Sequence, residues 1–240
     1  MITIPTTSQI DYETSPYYVT TNQKYRVYDT EGLDGGGRKW GSEFPRLLKP
    51  LFPDRVFDRC LEWCAGPGYC GFEMLDWGMT RTLVLGDIHA PALIYANATV
   101  AAPYNNMADE GTDARNTVSV FHISEIQDLP ATEQYDLVIG NPPHSADINP
   151  RQNVDDIRVL SDWGWQAHKE FFRSIPRYLR PDGVIWLCEN GNSGAGPREI
   201  FDPMIEAAGL EVFEEVRCEN FDIDRNPYYY LLIGHRGAKP

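Results

Sequence analysis

Short apolar runs alternate with stretches of mixed polarity from about residue 56 to the end of the chain. The apolar runs predict seven strands, at residues 56–63, 82–86, 118–121, 137–139, 184–188, 210–218 and 228–233. The last two follow each other without room for a crossover helix, so at least one of them is antiparallel. The pattern predicts an α/β fold: a doubly wound, mostly parallel seven-stranded sheet with an antiparallel last strand and helices on both faces.

Four helices are predicted between these strands, at residues 72–77, 91–102, 162–175 and 197–208. Gly78 and Gly209 stop two of them, and Pro91 suits the first turn of a third. Three irregular segments are predicted as well: a polar loop at 103–116, a proline-interrupted insertion at 145–161 and a turn at 180–183.

The first fifty residues differ from the rest, because they are rich in tyrosine, threonine, proline and glycine. The stretch Gly32–Gly41 contains too many glycines for the interior of a helix or a strand. It is interpreted either as a surface loop or as a mobile lid in which Arg38, Lys39 and Trp40 contact a ligand. The predicted organisation is an N-terminal arm or substrate lid over residues 1–50 and one main domain over residues 51–240.

The charge balance narrows the class of partner. The chain carries 21 Lys and Arg against 35 Asp and Glu, a formal net charge of −14, and its basic residues are scattered. Surfaces that bind nucleic acid are usually basic. A protein, peptide or small-molecule substrate is therefore expected more than a nucleic acid, although a local basic patch can still form in three dimensions.

Neither a membrane segment nor a disulfide framework is expected. There is no run of about eighteen apolar residues, and the start of the chain lacks the features of a secretory signal. The cysteines are odd in number and contain no CxxC pair: Cys60, Cys64, Cys70, Cys188 and Cys218. Reduced thiols in a cytoplasmic protein are expected rather than disulfides or a zinc site.

The tetrapeptide Asn141-Pro142-Pro143-His144 follows the apolar run 137–139 and Gly140. Proline lacks the donor that a central strand needs, and a residue before proline is pushed away from helix. The tetrapeptide is therefore predicted to be a stiff corner at the carboxyl end of a strand, where open α/β sheets bind ligands. The alternative is a proline turn that only ends the strand.

Two earlier strand ends carry further candidate groups. Glu62 precedes a loop in which Gly66 and Gly68 permit positive φ and a close approach of the backbone to a ligand. The loop matches neither the dinucleotide fingerprint nor a phosphate loop, and an acid before it suits a cationic amine. Asp87 ends the next strand, where a carboxylate either accepts the hydroxyls of a ribose or caps a helix.

The order of these features along the chain, from the glycine loop to Asp87 and then to Asn-Pro-Pro-His, resembles that of class I S-adenosylmethionine-dependent methyltransferases. The resemblance covers roughly residues 54–236. The resemblance implies a Rossmann-like methyltransferase fold, S-adenosyl-L-methionine as cofactor, a first loop that cradles its methionine part and an acid that holds its ribose. Cys64 stands where the family usually has a glycine, and His122 where an acid often lies near the adenine. The implied cofactor-binding residues are Glu62, Cys64, Ala65, Gly66, Gly68, Asp87, Ile88, His122 and Asn141.

Asn-Pro-Pro followed by a ring resembles the amino-methyltransferase branch, which includes adenine-N6 and release-factor glutamine methyltransferases. The implied catalytic residues are Asn141, Pro142, Pro143 and His144, with His144 in place of the usual Tyr or Phe. The Asn141 oxygen and the Pro142 carbonyl would bind both N–H groups of a planar nitrogen, and more strongly as positive charge develops on it. His144 offers a ring face and can titrate near neutrality. Glu189 and Asn190 either line the same cleft or cap a helix.

The sequence thus predicts an S-adenosylmethionine-dependent N-methyltransferase that acts on an amide, guanidine or amine nitrogen of a protein, peptide or small molecule. Two alternatives stay open. One is an adenine-N6 methyltransferase acting on RNA or DNA, which the net charge disfavours. The other is a non-catalytic scaffold subunit that kept the fold, which the intact Asn-Pro-Pro disfavours.

Overall fold

The structure is a computed structural model that describes residues 10–30, 32–33, 37–146, 161–190, 197–218 and 228–238. Its residues group into two compact units, which divide between Ser124 and Glu125. Together they hold a mixed sheet of seven strands, flanked by helices. The predicted fold class is confirmed. The assignment of residues 1–50 as a separate arm or substrate lid stays a prediction.

The first unit contains five strands and five α-helices among its described residues: β1 (Tyr17–Val19), β2 (Arg26–Tyr28), α1 (Gly37–Trp40), α2 (Glu43–Leu48), β3 (Phe57–Trp63), α3 (Tyr69–Asp76), β4 (Thr80–Asp87), α4 (Ala90–Ala101), α5 (Ala114–Thr117) and β5 (Val118–His122). β1 and β2 form an antiparallel hairpin. β3, β4 and β5 are parallel, in the order β5-β4-β3. The predicted strands and the two predicted helices of this unit are confirmed, and Gly78, at φ 65°, ends α3.

The hairpin of β1 and β2 is bound to α3 through two carboxyl groups. Glu73 accepts hydrogen bonds from the Thr21 backbone N–H at 3.0 Å and from the Tyr18 hydroxyl. Asp76 accepts the backbone N–H of Asn22 at 2.6 Å and of Lys24 at 3.0 Å. Both acids are buried. The hairpin supplies donors to Glu73 Oε1 and to both oxygens of Asp76, whereas Glu73 Oε2 has no hydrogen-bond partner in the structure.

A helical turn forms at Gly37–Trp40, where the glycine-rich composition predicted neither helix nor strand. A Cβ atom on Gly37 would collide with the Tyr69 ring, and one on Gly41 would lie 2.9 Å from the Gly37 carbonyl oxygen. The glycines are used here for close packing on α3 rather than for a flexible loop. Arg38 forms a two-point ion pair with buried Asp29, at 2.5 and 2.7 Å.

The predicted polar loop at residues 103–116 is largely helical. It contains 3-10 turns at Pro103–Asn106 and Ala108–Glu110, followed by α5. Buried Asn105 holds this segment to the hairpin, because its side chain accepts the Arg26 N–H at 2.8 Å and donates to the Arg26 carbonyl at 2.9 Å. Side-chain hydrogen bonds of this kind are not visible in a hydrophobic pattern, so the sequence predicted only polarity.

The described part of the second unit contains β6 (Tyr135–Gly140), α6 (Gln166–Ser174), β7 (Leu179–Asn190), α7 (Pro197–Ala207), β8 (Leu210–Arg217) and β9 (Tyr228–His235). The order is β6-β7-β9-β8. β6 and β7 are parallel, whereas β9 is antiparallel to both of its neighbours. The predicted antiparallel last strand is therefore confirmed.

The turn predicted at residues 180–183 is an irregularity inside β7. Tyr135 pairs with Leu179 but Leu137 already pairs with Val184, so the intervening residues of β7 fall out of register. Gly183 lies close to the Tyr135 carbonyl, 2.9 Å from where its Cβ would be, which leaves no room for a side chain. Most of the predicted insertion at 145–161 lies outside the described residues.

Candidate functional site

The loop after β3 adopts the left-handed conformation at three positions. Gly66 and Gly68 have φ of 53° and 98°, and Cys64 has φ of 55°. Cys64 thus takes the backbone conformation that its usual glycine would adopt without strain. The Ala65 N–H donates to the Gly86 carbonyl at 3.1 Å, and this bond joins the loop to β4.

Gly68 stands at the entrance of α3 with no space for a larger residue. A Cβ atom there would lie 2.8 Å from a methyl carbon of Leu85 and 3.2 Å from the Phe72 ring. Backbone N–H groups at the start of the helix are consequently close to the end of the neighbouring strand. Glycine is required at this position by both the positive φ and the packing.

Asp87, at the end of β4, fixes the loop to the start of the next helix. One carboxylate oxygen accepts the Gly66 N–H and the other accepts the His89 N–H, each at 2.7 Å. Burial raises the pKa of Asp87, and these two hydrogen bonds oppose that shift. Each carboxylate oxygen has a second lone pair, so the two bonds leave acceptor capacity for a diol.

The groups next to Asp87 are accessible. Ile88 is 63% exposed, which is unusual for a large apolar side chain at the end of a core strand. The His122 ring, at the end of β5, hydrogen-bonds the Ile88 carbonyl through Nε2 at 3.0 Å. His122 and Ile88 are thereby brought together beside Asp87, and their part in an adenine site stays a prediction.

Glu62, which was expected to contact a cationic amine of the ligand, is buried in the structure. It is only 2% exposed, and its carboxyl accepts the Gly71 N–H at 2.8 Å in the first turn of α3. Burial raises the pKa of Glu62 to about 8, although the bonds to α3 lower it in part. Its observed role is to hold the helix start against β3, and a contact to a ligand amine stays a prediction.

The corner after β6 contains a buried acceptor. All six residues of β6 are buried. The side-chain oxygen Oδ1 of Asn141 is also buried, and it has no hydrogen-bond partner in the structure. A buried acceptor without a donor costs about 1–3 kcal/mol, so this atom is set up to bind an N–H group. Asn141 lies in the second unit, whereas the other implied cofactor-binding residues lie in the first.

Asn190, at the end of neighbouring β7, has the same property. It is buried, and its Oδ1 atom has no hydrogen-bond partner. Its amide donates to the Tyr228 hydroxyl, which lowers the pKa of that tyrosine against the larger, raising effect of burial. Since the amide nitrogen of Asn190 is hydrogen-bonded to Tyr228, its Oδ1 atom is the group that can accept a hydrogen bond from a ligand. Helix capping, the other interpretation of Asn190, has no support in the described residues.

The His144 ring is held against β7. Nε2 lies 2.8 Å from the Cys188 carbonyl and 3.8 Å from a Glu189 oxygen, and the ring packs edge-on against Tyr228 at 5.7 Å. Because a carbonyl only accepts, Nε2 carries the hydrogen. Burial lowers the pKa of His144 despite the nearby Glu189, which favours the neutral ring.

A buried cluster beside His144 was not predicted. The His168 ring donates Nδ1–H to Asp162 at 2.6 Å, and its Nε2 lies 3.3 Å from both oxygens of Glu189. His168 and Glu189 are both 0% exposed. Burial opposes the charge on His168, but the two carboxylates together raise its pKa to about 9. The only sequence signal was a polar residue on the apolar side of a predicted helix.

The described residues contain no group of three or more His, Cys, Asp or Glu side chains arranged to hold a metal ion. All five cysteines are free thiols, and four of them are buried. None of the helices found among the described residues is long and apolar enough to cross a membrane.

Comparison with known proteins identifies the family. The sequence model of a protein family, the methyltransferase small domain, matches residues 20–208 of this chain. No curated protein matches the sequence. The structure is similar to the ribosomal protein L11 methylase of Lactobacillus delbrueckii subsp. bulgaricus, with 11% identity over 81% of this chain and 78% of that one and a TM-score of 0.55.

Two further solved structures are similar. The tRNA methyltransferase TrmK of B. subtilis has 11% identity over 87% of this chain and 67% of its own, with a TM-score of 0.52. An S-adenosylmethionine-dependent methyltransferase of Clostridium acetobutylicum ATCC 824 has 14% identity over 82% and 91%, with a TM-score of 0.52. These likenesses show the fold, and the family match covers most of the chain. The chain therefore belongs to the methyltransferase small domain family and is an S-adenosylmethionine-dependent methyltransferase.

Proposed function

We propose that this enzyme methylates a planar nitrogen (amide, guanidine or amine) of a protein, peptide or small molecule. The observation that carries the proposal is the buried, unpartnered Oδ1 atom of Asn141 at the corner after β6. A nitrogen with N–H groups is the acceptor that such an atom binds. An oxygen, carbon or sulfur acceptor offers fewer donors or none.

The first unit supplies groups that fit the cofactor. The left-handed loop at 64–68 exposes backbone to the methionine part, Asp87 has acceptor capacity for the ribose, and Ile88 with His122 offers an apolar face and a ring to the adenine. Bound S-adenosylmethionine supplies an electrophilic methyl group on a positively charged sulfur. The same residue set was implied by the resemblance, and its contacts to the cofactor remain a proposal.

The second unit supplies the groups that hold the acceptor. Asn141 Oδ1 and the Pro142 carbonyl would accept the two N–H groups of the target nitrogen, and Asn190 Oδ1 is a further acceptor on the adjacent strand. As the nitrogen becomes positive, each of these dipoles binds it more strongly, which stabilises the transition state more than the ground state. The prolines keep Asn141 rigid, so little reorganisation is needed.

His144 is suited to stacking on the acceptor rather than to binding a carboxylate. Its Nε2–H is directed at the Cys188 carbonyl, and the lowered pKa keeps the ring neutral. A carboxylate ligand would need the imidazolium form. The neutral ring still has a planar face, which is the property that it shares with the usual Tyr or Phe.

An adenine amino group of RNA or DNA is the alternative acceptor, and one similar structure is a tRNA methyltransferase by its name. The net charge of −14 opposes a polyanion. A salt titration of substrate binding separates the two, because phosphate contacts release counterions and give a steep dependence on salt.

The test is Asn141→Ala, with methyl transfer and cofactor affinity measured separately. Cell extract with methyl-labelled S-adenosylmethionine provides the acceptor, and mass spectrometry of the product identifies it. We expect transfer by the cofactor-saturated enzyme to fall by about 100-fold or more, since one lost transition-state hydrogen bond costs about 3 kcal/mol. The affinity measurement shows separately how far cofactor binding depends on Asn141. The matched control is Asn97→Ala, an exposed asparagine of α4, which should keep full transfer. Near wild-type transfer by Asn141→Ala would contradict the proposal.

A further inference from the structure

The Asp162–His168–Glu189 cluster is built into the second unit by many bonds. Asp162 accepts the Ala167 N–H at 2.8 Å and the His168 N–H at 3.1 Å, which holds the first turn of α6. Its own N–H donates to the Ser145 carbonyl at 3.1 Å. The cluster is thus attached to the chain one residue beyond His144.

Among the described residues, aromatic rings and these two acids contact the His168 ring. Phe201 stacks on it at 4.7 Å, and Trp165 packs edge-on at 5.3 Å. Asp162 and Glu189 are charged groups that face it, and Glu189 in turn faces His144. The pKa of Asp162 is lowered by His168 even though burial acts to raise it. With Asp162 and Glu189 as carboxylates and His168 as an imidazolium, these three side chains together carry one negative charge.

Burial of such a cluster is expensive. Desolvation of ionic groups costs several kcal/mol each, and apolar residues of similar size often serve the fold equally well. Stability alone therefore gives a weak reason for three ionised side chains at this place. Their position does give a reason, because Glu189 lies between the His168 cation and the His144 ring.

We propose that Asp162, His168 and Glu189 are positioning residues for the corner: they reinforce the Nε2–H tautomer of His144 that the Cys188 carbonyl accepts, and they place one negative charge behind the ring. The charge and the Cys188 carbonyl both attract the hydrogen on Nε2, so the ring orientation is fixed before the acceptor binds. The same negative charge favours a target nitrogen that becomes positive during transfer. This inference rests on the proposed N-methylation, but its first test does not require activity.

The first test is nuclear magnetic resonance of the histidine rings in the wild-type protein, labelled with ¹⁵N. At pH 7 we expect His168 to be doubly protonated and His144 to be neutral with the hydrogen on Nε2. A neutral His168, or a His144 that carries its hydrogen on Nδ1, overturns the proposal without any variant.

The second test is Glu189→Gln, which keeps the shape and removes the charge. The expected results are a drop of at least one unit in the pKa of His168, a measurable fraction of His144 with its hydrogen on Nδ1, and a fall of about tenfold in methyl transfer to extract acceptors, at unchanged cofactor affinity. Glu170→Gln is the matched control: Glu170 accepts the Ile126 N–H at 3.2 Å in the same unit and should change none of these readouts. An unchanged His144 tautomer in Glu189→Gln contradicts the proposal.

The two proposals fail in different ways. If the wild-type protein transfers no methyl group to any nitrogen, the proposed function fails, whereas the tautomer of His144 and its dependence on Glu189 still decide the positioning role. If transfer occurs and Glu189→Gln matches the wild type in transfer rate and in its pH profile, only the positioning role fails.

Discussion

The carboxylate of Asp87 accepts the backbone N–H of Gly66 at 2.7 Å, and this bond ties the loop after β3 to the end of β4. The residue expected to hold the ribose therefore also shapes the loop expected to hold the methionine part. A change at Asp87 should affect both regions of the cofactor site together.

Asp87→Asn is expected to weaken cofactor binding by about 10- to 100-fold, because charge-assisted hydrogen bonds contribute about 1.5–3 kcal/mol. Titration calorimetry with S-adenosylmethionine measures the effect. Asp58→Asn serves as the control, since Asp58 is an exposed acid of β3 that pairs with Arg81. Equal affinities of the two variants would show that Asp87 has no part in the cofactor site.

Gly68→Ala should destabilise the protein more than Gly78→Ala. Both glycines have positive φ, so alanine at either position costs about 1 kcal/mol or more. A Cβ at Gly78 meets open space, whereas at Gly68 it lies 2.8 Å from Leu85. Urea unfolding should show a difference of about 1–3 kcal/mol, the usual range for overpacking, and a smaller or reversed difference would mean that Leu85 moves aside freely.

Cys64→Gly and Cys64→Ala together isolate the strain at φ 55°. Both variants remove the thiol, but only glycine relieves the left-handed conformation. The free energy of unfolding of Cys64→Gly should exceed that of Cys64→Ala by about 1 kcal/mol. If alanine is the more stable variant, the loop does not hold this residue in the left-handed region in solution.

Glu62 predicts a pH dependence of stability. Its pKa is raised on folding from 4.5 to about 8, so its stabilising effect is complete below the unfolded pKa and is lost as the pH rises through the folded one. Relative to Glu62→Gln, the free energy of unfolding of the wild type should fall between about pH 5 and 8, by about 1 kcal/mol per pH unit at most, and then level off. Urea titrations of both proteins at several pH values measure this, and a constant difference would refute the raised pKa.

Apolar runs were enough to predict the seven strands of the mixed sheet, most clearly in the central strands, whose side chains are buried. Leu137, Val138 and Ile139 are each 0% exposed, and such a run has few structural alternatives. The antiparallel strand could be predicted from loop length alone. The helical turn Gly37–Trp40 was not predicted, because a sequence does not distinguish a glycine that packs closely, here on Tyr69, from one that makes a loop flexible.

The part of the candidate site that consists of consecutive residues could be predicted from the sequence. The part formed by residues far apart in the sequence could not. Asn141 to His144 are consecutive, and their placement after β6 followed from the proline rule. His168 lies on α6 and Glu189 on β7, and the tertiary structure brings the two side chains to within 3.3 Å. The bond from Gly71 N–H to buried Glu62 was not predicted, and the contact of Glu62 with a ligand amine stays a prediction.

The carboxyl groups of Glu73 and Asp76, on α3, bear on how this fold can acquire new substrates. An N-terminal segment can be replaced easily only if the surface that it covers is uncharged or remains solvated once the segment is removed. Here removal of the hairpin would take away the donors of Asp76 and of Glu73 Oε1. A replacement for the hairpin is therefore expected to need backbone donors at the same two acids.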